Sequence, residues 1–306
     1  MTMTLSRIIA FLKLRCYVLW THWRFLFRNR YKDQRHDLSA PLIISLTSYP
    51  KRFGSLHLTI KTLLSQTVQA DMVVLWVAES DKSQLPKKVL ALQSHGLTIR
   101  STVDTRSYKK IIPTLVDYPN SFVVTVDDDL YYPNFLLDIL LESYRDHPDC
   151  VIANRTHIIT YDEVGKIRPY SDWIWLAFDN KKPDSNFLTG VGGVLYPPGC
   201  FHPDVILSEL YLKLAPTADD VWLYWMVRLN KRHVINTGCH IQDITWPGSQ
   251  SFALWRENIT GSEDSGNDSQ IRNMASYYVD FNEHMEDDGV VKAFSNLNTG
   301  EYRDVS

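Results

Sequence analysis

The stretch FVVTVDDDLYYP, residues 122–133, decides the fold of this 306-residue chain. Its apolar and β-branched residues lead directly into Asp127, Asp128 and Asp129, as a buried strand does when it ends in a functional loop. It is the fourth such run, and segments with helical spacing lie between and after the runs. The predicted strands are residues 42–46, 72–77, 97–101 and 122–126, and the predicted helices are residues 56–65, 85–93, 111–118 and 135–144. This alternation predicts an α/β fold, a mostly parallel sheet flanked by helices.

The second half of the chain is patterned less regularly. We predict a strand at residues 150–154, a long loop or hairpin at 161–186, and helices at 220–229 and 270–285. Three glycines, Gly190, Gly192 and Gly193, fall in an apolar setting within residues 186–198.

The composition bounds the class of protein. With 44% hydrophobic and 22% charged residues, the chain is typical of a folded globular protein. Its formal net charge of −3 gives no broad basic field, so we expect no nucleic-acid partner. The four cysteines are far apart and lack zinc-like spacing, which favours reduced thiols in the cytoplasm.

Residues 1–33 differ from the rest, and we predict a basic amphipathic helix. Its charges are basic until Asp33, and the uncharged run 16–23 is too short to span a bilayer. We expect residues 5–32 to lie in a membrane interface, attracted by anionic lipid. The alternative is a helix packed on the domain or on another subunit, and apolar residues on the opposite face favour it. The predicted apolar face consists of Leu5, Ile8, Ile9, Leu12, Cys16, Leu19, Trp20, Trp23 and Phe27, and the opposite face carries Phe11, Val18 and Phe25.

The three adjacent aspartates predict a metal site. Their carboxylates repel one another unless a cation or solvent screens them. Mg²⁺ or Mn²⁺ is the natural partner of such oxygen ligands and would also bridge diphosphate oxygens. The alternative is a solvated acidic turn, which the position at the end of a buried strand disfavours. In open parallel sheets ligands bind at the carboxyl ends of strands, where Thr47-Ser48-Tyr49 and Glu79 also fall.

A second acidic pair, Asp219-Asp220, opens the predicted helix at residues 220–229. Acids at a helix N-terminus are stabilising there, so capping explains the pair as well as chemistry does. One Asp can cap while the other points into a cleft. Further along, His240 is a candidate metal ligand, although a lone His is more often a satisfied core or surface residue. Asp243 competes with it for that role.

Taken together, several segments resemble bacterial GT-A glycosyltransferases, close to the family 2 type, of surface-polysaccharide (lipopolysaccharide or capsule) biosynthesis. They span about residues 42–230, and their order and spacing carry the resemblance. The segments are LIISLTSYPKRF, HLTIKTLLSQT, MVVLWVAES, DTRSYKKIIPTL, FVVTVDDDLYYP, FLTGVGGVLYPP and ADDVWLYW.

The resemblance implies a role for each candidate residue. An Asp of the 219–220 pair, with Asp220 preferred, would be the general base, and Asp129, Asp127 and His240 would hold Mn²⁺ or Mg²⁺. The nucleotide-sugar would contact Thr47, Ser48, Tyr49, Arg52, Glu79, Asp104, Lys110, Asp127, Asp128, Gly192 and Gly193.

The resemblance also implies an organisation and a function. A linker at 34–41 would precede a GT-A (Rossmann-like) domain at 42–306. Its 42–150 half would bind a nucleotide-sugar, and 151–306 would form the acceptor half and a C-terminal extension. The expected reaction is inverting transfer, from a UDP-sugar as the favoured donor, to a glycan or lipid-linked acceptor. The expected location is the cytoplasm, peripheral on the inner face of the cell membrane. The alternatives are an inactive sugar-binding or scaffold protein on the membrane and a metal-dependent phosphatase. The phosphatase is disfavoured because Tyr131 occupies the position where the DxDxT or DxDxV motif of such enzymes has Thr or Val.

Overall fold

A computed structural model describes residues 5–28, 35–163, 167–178, 180, 183–247 and 266–278. Strands and helices alternate through the first half of this part of the chain. The strands are β1 (Leu42–Thr47), β2 (Met72–Ala78), β3 (Leu97–Thr102), β4 (Phe122–Thr125), β5 (Val151–Ala153), β6 (Thr156–Ile158), β7 (Ile174–Ala177), β8 (Asn186–Leu188), β9 (Val194–Tyr196) and β10 (Val234–Asn236). The α-helices are α1 (Leu5–Phe27), α2 (Phe53–Leu63), α3 (Lys87–Leu90), α4 (Ile112–Asp117), α5 (Leu136–Asp146), α6 (Ser208–Leu214), α7 (Asp219–Leu229) and α8 (Asn267–Tyr277).

The main sheet has seven described strands in the order β10-β5-β9-β4-β1-β2-β3. Strand β9 runs antiparallel to β4 and β5, and the other neighbouring pairs are parallel. Helices cover it, with α2 and α5 on one face and α7 on the other. The predicted α/β class, the mostly parallel Rossmann-like sheet and the N-terminal helix are therefore confirmed.

The strand order creates a switch point between β1 and β4. The chain runs from β1 outward to β2 and β3, and then returns to place β4 on the other side of β1. In open α/β sheets a crevice forms outside the carboxyl ends of the strands at such a point. The segment from Ser48 to Arg52 follows β1, and the segment from Asp127 to Asp129 follows β4. Both segments therefore meet at this crevice.

Alternation along the strands gives each face of the sheet its own core. In β1, Leu42, Ile44 and Leu46 pack with α2 and α5, whereas Ile43 lies on the opposite face with residues of β2. Helix α7 is buried nearly all round, as expected of a helix enclosed by a large core.

Some elements differ from their predictions in extent. The helix predicted at 85–93 is the short α3 followed by a 3₁₀ turn at Ala91–His95. The region 161–186 supplies β7 and reaches β8, which pair with β6 in a second, antiparallel sheet in the order β7-β6-β8. Of the helix predicted at 270–285, the structure shows α8, and residues 279–285 lie outside the described part.

The segment before β1 is attached to the domain. His36 Nε2 lies 2.8 Å from Asp71 Oδ2, and Asp37 accepts two hydrogen bonds from Arg145. Residues 35–41, expected to be a linker, thus run along the domain surface. Helix α1 in turn packs on α2. Among the described helices, none combines the length and apolar character that crossing a bilayer requires.

Candidate active site

The loop after β1 and the aspartates after β4 contact each other directly. Arg52 Nη1 lies 2.8 Å from Asp128 Oδ1 and 3.2 Å from Asp129 Oδ2. The Ser48 hydroxyl donates a hydrogen bond to the other oxygen of Asp128. Both carboxylates are largely buried, with 6% and 7% of their side chains exposed. Adjacent parallel strands thus bring together two motifs that are about 80 residues apart in sequence.

The backbone of the acidic loop is held from three sides. The Thr59 hydroxyl on α2 lies 3.0 Å from the carbonyl oxygens of Asp128 and Leu130. The Tyr132 hydroxyl accepts the backbone N–H of Asp127 at 2.8 Å. The backbone N–H of Trp246 donates to the Asp129 carbonyl at 3.0 Å. These contacts fix where the three carboxylates point.

Lys110 joins the two acidic motifs. Its ammonium lies 2.9 Å from Asp219 Oδ2 and 3.4 Å from Asp127 Oδ1, and only 7% of its side chain is exposed. A buried ammonium is stable only beside compensating carboxylates. Because Lys110 contacts both motifs, Asp127 and Asp219 belong to one cleft.

Asp219 and Asp220 occupy the first turn of α7, but their side chains have different partners. Asp219 pairs with Lys110, whereas Asp220 Oδ1 accepts the backbone N–H of Gly190 at 3.0 Å. A Cβ on Gly190 would lie 2.7 Å from Lys110 Nζ and 3.1 Å from Asp220 Oδ1, so a side chain there would have to displace the Lys110 ammonium. Both aspartates lie where the helix dipole favours negative charge, and both face the cleft.

Burial and charge shift the pKa values of this cluster. Burial, with repulsion from Asp219, raises the pKa of Asp220 to about 7, while Lys110 opposes the shift. Burial also raises the pKa of Asp129 to about 7 against the attraction of Arg52. Burial alone would lower the pKa of Lys110, but the neighbouring carboxylates, Asp219 first, raise it well above its ordinary value. A perturbed group in a cleft marks a candidate functional site, and here two carboxyls are poised near neutrality.

The other predicted nucleotide-contacting residues lie around this cleft or near the adjoining strand ends. The Thr47 hydroxyl donates to the Trp76 carbonyl at 2.9 Å, and the Tyr49 ring lies 5.8 Å from the Arg52 guanidinium. Glu79 is exposed at the end of β2. None of these positions by itself shows a nucleotide contact.

Asp104 lies at the edge of the candidate site. It pairs with Lys109, and this hydrogen bond lowers the pKa of Asp104. It also lines a cavity of about 740 Å³ beyond the end of β3, together with Trp76, Arg100 and Tyr211. This cavity contains no residue of the aspartate motifs, so we do not assign the acidic chemistry to it.

Gly192 and Gly193 have positive φ angles of 92° and 96°. The Asn154 side-chain amide donates to the Gly192 carbonyl at 2.9 Å, and the Asn154 backbone N–H donates to the Gly193 carbonyl. Glycine adopts this conformation without steric strain. The turn that leads from Gly190 into β9 is therefore fixed by backbone requirements.

His240 and Asp243 stand at the rim. The His240 ring is exposed and meets Phe178 edge-on at 5.1 Å. Asp243 pairs with Arg155 at 2.9 Å, and burial raises its pKa with a contribution from Asp127. Both side chains line a small cavity with Gly192. The structure therefore places both candidates on the Asp127 side of the cleft.

The donor set suits a hard divalent cation that is completed by substrate. Among the described residues, no three His, Cys, Asp or Glu side chains converge closely enough to hold a metal by themselves. Mg²⁺ in nucleotide sites, however, commonly uses one or two carboxylates together with phosphates and water. Asp127 has 26% of its side chain exposed, so its carboxylate is accessible to a cation. Repulsion from Asp127 and Asp128 also contributes to the raised pKa of Asp129. Five aspartates share the cations of Arg52 and Lys110, which leaves an excess of negative charge.

Sequence reasoning did not identify several residues that build the site. Thr59 lies in the segment HLTIKTLLSQT, and its role depends on a long-range contact with the acidic loop that the sequence does not show. Trp246 is fully buried, and its indole N–H lies 2.8 Å from the Thr59 hydroxyl and 3.1 Å from the Leu130 carbonyl. Gly190 was noted only as one of three glycines. The one sequence signal for Thr59 is its polar side chain on the apolar face of a helix, because a buried hydroxyl needs a hydrogen-bond partner.

The fold and the cleft define an α/β protein with an acidic site at the switch point of its sheet. No protein-family model matches this chain, and no curated protein is similar to it in sequence. Among solved structures, it is similar to CMP:2-keto-3-deoxy-manno-octonic acid synthetase complexed with CTP, at 11% identity and a TM-score of 0.40 over 69% of this chain and 94% of that chain. A 4-diphosphocytidyl-2C-methyl-D-erythritol synthase gives 12% identity and a TM-score of 0.40 over 69% and 95%. At these values the similarities carry no functional argument, which has to come from the residues of the cleft.

Proposed function

We propose that the protein is a glycosyltransferase of the GT-A type that transfers a sugar from a nucleotide-sugar to a glycan or lipid-linked acceptor. The observation that carries the proposal is the Lys110 ammonium, which contacts both Asp127 and Asp219. It places a motif suited to a nucleoside diphosphate and a motif suited to proton abstraction in one cleft. Sugar transfer needs both functions within one site.

The general base in this proposal is Asp220. Asp219 forms an ion pair with Lys110 at 2.9 Å, so its carboxylate is already engaged by a protein group. Asp220 has one oxygen fixed by the Gly190 N–H, and its carboxyl group titrates near neutrality. A base works best when its pKa lies near the working pH. Asp220 would accept the proton of the acceptor hydroxyl as that oxygen attacks the anomeric carbon, in a single inverting displacement.

Arg52, Ser48 and Asp128 form the support of the donor side. Their contacts hold the loop after β1 against the loop after β4, so that the crevice has a defined width. Asp127 and Asp129 would hold Mg²⁺ or Mn²⁺, and His240 remains a candidate third ligand. When bound, the cation would neutralise charge that builds on the departing nucleoside diphosphate.

The donor and the setting extend this proposal. We favour a uridine diphosphate sugar and a role in surface-polysaccharide biosynthesis, such as lipopolysaccharide or capsule, on the basis of the sequence resemblance. We place the enzyme at the cytoplasmic face of the cell membrane, with residues 5–32 in peripheral contact. The exposed apolar residues of α1 support this location.

The proposal is tested by thermal stability with a panel of nucleotide-sugars, in Mn²⁺ and in EDTA. We expect one nucleotide family to raise the melting temperature of the wild-type protein only when Mn²⁺ is present. Asp129→Asn is expected to lose this rise. Asp117→Asn is the matched control, because Asp117 forms an exposed ion pair with Arg100 outside the cleft.

Turnover then separates the alternatives. Release of nucleoside diphosphate that depends on an acceptor supports transfer, and release of inorganic phosphate without an acceptor would instead indicate a phosphatase. Binding without turnover would indicate a sugar-binding or scaffold protein. A folded protein that no nucleotide stabilises would contradict the proposed donor site.

A further inference from the structure

Helix α1 has two apolar faces, and only one of them is used by the domain. Thr21 and Phe25 are buried against the domain. On the opposite side Leu12, Leu19 and Leu26 are 56%, 68% and 73% exposed. These three leucines recur every seven residues, so they lie on one side of the helix. The two apolar faces of the sequence are thus separated by the fold: one packs, and the other faces outward.

The outward face also carries a row of aromatic rings. Trp20 stacks on Trp23 with ring centroids 5.0 Å apart, and Trp23 lies 5.1 Å from Phe27. All three rings are more than one third exposed. Exposed apolar clusters of this size on a folded protein mark interaction sites, and Trp is favoured at the boundary between lipid and water.

Positive charge borders this face on both sides. At helical spacing, Lys13 and Arg15 fall on opposite edges of the leucine row. On the domain, Lys61 Nζ lies 2.9 Å from His22 Nδ1, and burial together with Lys61 and Lys88 lowers the pKa of His22. Residues 1–32 contain no Asp or Glu. The surface therefore combines an apolar centre with a cationic border.

We propose that the outward face of α1 docks on an anionic lipid bilayer. In a symmetric dimer the same patch would face itself, which would bring Lys13 and Arg15 toward their own copies with no acidic residue of this segment to pair with them. An anionic bilayer offers hydrocarbon to the leucines and negative headgroups to the cations at the same time. An anionic bilayer therefore matches both the apolar centre and the cationic border of the surface, whereas a second copy of the chain matches only the apolar centre.

The docked helix would lie beside the acidic cleft. The Tyr17 ring on α1 lies 4.8 Å from the Tyr131 ring, and Tyr131 lies 6.0 Å from Trp246. Tyr131 is two residues beyond Asp129 in the loop after β4. A bilayer under α1 thus stands close to the site where a lipid-linked acceptor would react. The docking specifies the peripheral membrane contact named in the proposed function. It does not require sugar transfer, so only its consequence for the acceptor rests on the proposed reaction.

Vesicle flotation of the full chain tests the docking without donor or acceptor. We expect binding to vesicles with 30% phosphatidylglycerol in phosphatidylcholine, and much weaker binding to phosphatidylcholine alone. Leu19→Asp is expected to lower the affinity more than tenfold. The double change Lys13→Gln and Arg15→Gln is expected to lower it about 25-fold, at about fivefold for each cation near the surface. Val116→Asp is the matched control, since Val116 is 57% exposed on α4 and its change should leave binding unaltered.

Three results would overturn the proposal. One is equal binding to both vesicle types, and another is unchanged binding of Leu19→Asp. The third is a dimer in lipid-free solution that Leu19→Asp converts to a monomer, because the occupant of the face would then be a second copy. Flotation that succeeds while nucleotides fail to stabilise the protein would refute the transferase and leave lipid docking standing.

Discussion

Replacing Asp220 with Asn should make the protein more stable at pH 8 while it abolishes transfer. The folded state raises the pKa of Asp220 from an ordinary 3.8 to about 7. A carboxyl whose pKa is raised on folding binds protons more tightly in the folded state, so its ionisation above pH 4 destabilises that state. The full shift corresponds to about 4 kcal/mol. Since Asp220 is partly exposed, solvent screening reduces the expected gain to about 2 kcal/mol.

Asp219→Asn is the matched control and should have the opposite sign. Asp219 forms the 2.9 Å ion pair with the buried Lys110. Removing one partner of a buried pair leaves an uncompensated charge and costs about 3–5 kcal/mol. Lys110 retains Asp127 at 3.4 Å, so we expect the lower end of that range. Two adjacent aspartates on one helical turn thus give opposite changes in the free energy of unfolding.

The assay is urea denaturation at pH 4 and pH 8, followed by tryptophan fluorescence, together with transfer rates. The gain from Asp220→Asn should be present at pH 8 and should shrink toward zero at pH 4, where the wild-type carboxyl is protonated in the folded protein. The transfer rate should fall by about 10²–10⁴, as expected for the loss of a general base. Destabilisation of Asp220→Asn at pH 8, or transfer at the wild-type rate, would refute the reasoning.

Three further outcomes follow from the same cleft. Arg52→Met should remove nucleotide stabilisation and lower the free energy of unfolding by about 3 kcal/mol at pH 8, because Asp128 and Asp129 both lose the Arg52 guanidinium. A smaller loss at pH 5 in the same denaturation experiment would support the role of charge, and an equal loss would contradict it. Gly190→Ala should lower the transfer rate more than tenfold and the free energy of unfolding by about 1–2 kcal/mol, because the added Cβ would lie 2.7 Å from Lys110 Nζ. A transfer rate equal to that of the wild type would contradict this steric argument. The wild-type rate should rise about tenfold per pH unit up to about pH 7 and then level off, as Asp220 ionises; a flat pH–rate profile would exclude it as the base.

Much of the fold follows from local sequence patterns. The four predicted parallel strands are present. Three of them, β1, β2 and β4, are mostly apolar and buried in a sheet covered on both faces, whereas β3 lies at the sheet edge and is largely half-exposed. The proximity of Ser48 and Arg52 to the aspartates after β4 follows from the rule that strand ends gather at one edge. Both inferences need the order of the segments and no knowledge of individual contacts.

Tertiary contacts were beyond the reach of such patterns. Lys110 lies 109 residues before Asp219, and nothing local distinguishes it from the neighbouring Lys109, which pairs with Asp104 instead. The second sheet consists of strands of three or four residues, too short for a periodic signal. The sequence places more apolar residues on one face of α1 than on the other, yet packing on α2 buries Phe25 of the smaller face and leaves Leu12 and Leu19 of the larger face exposed.

The opposite changes in the free energy of unfolding expected for Asp219→Asn and Asp220→Asn distinguish a structural carboxylate from a functional one within the cleft. Asp219 pairs with the buried ammonium of Lys110, so its charge is compensated within the folded protein. Asp220 accepts the backbone N–H of Gly190 and lies beside another carboxylate, and its burial outweighs the attraction of Lys110, so the folded protein is destabilised when Asp220 ionises. Selection for stability alone would favour a neutral residue at the second position, since destabilised groups persist where function needs them. The imbalance at Asp220 therefore argues that this carboxylate acts on a substrate, and an Asp220→Asn variant that is both more stable and slower in transfer would support this role.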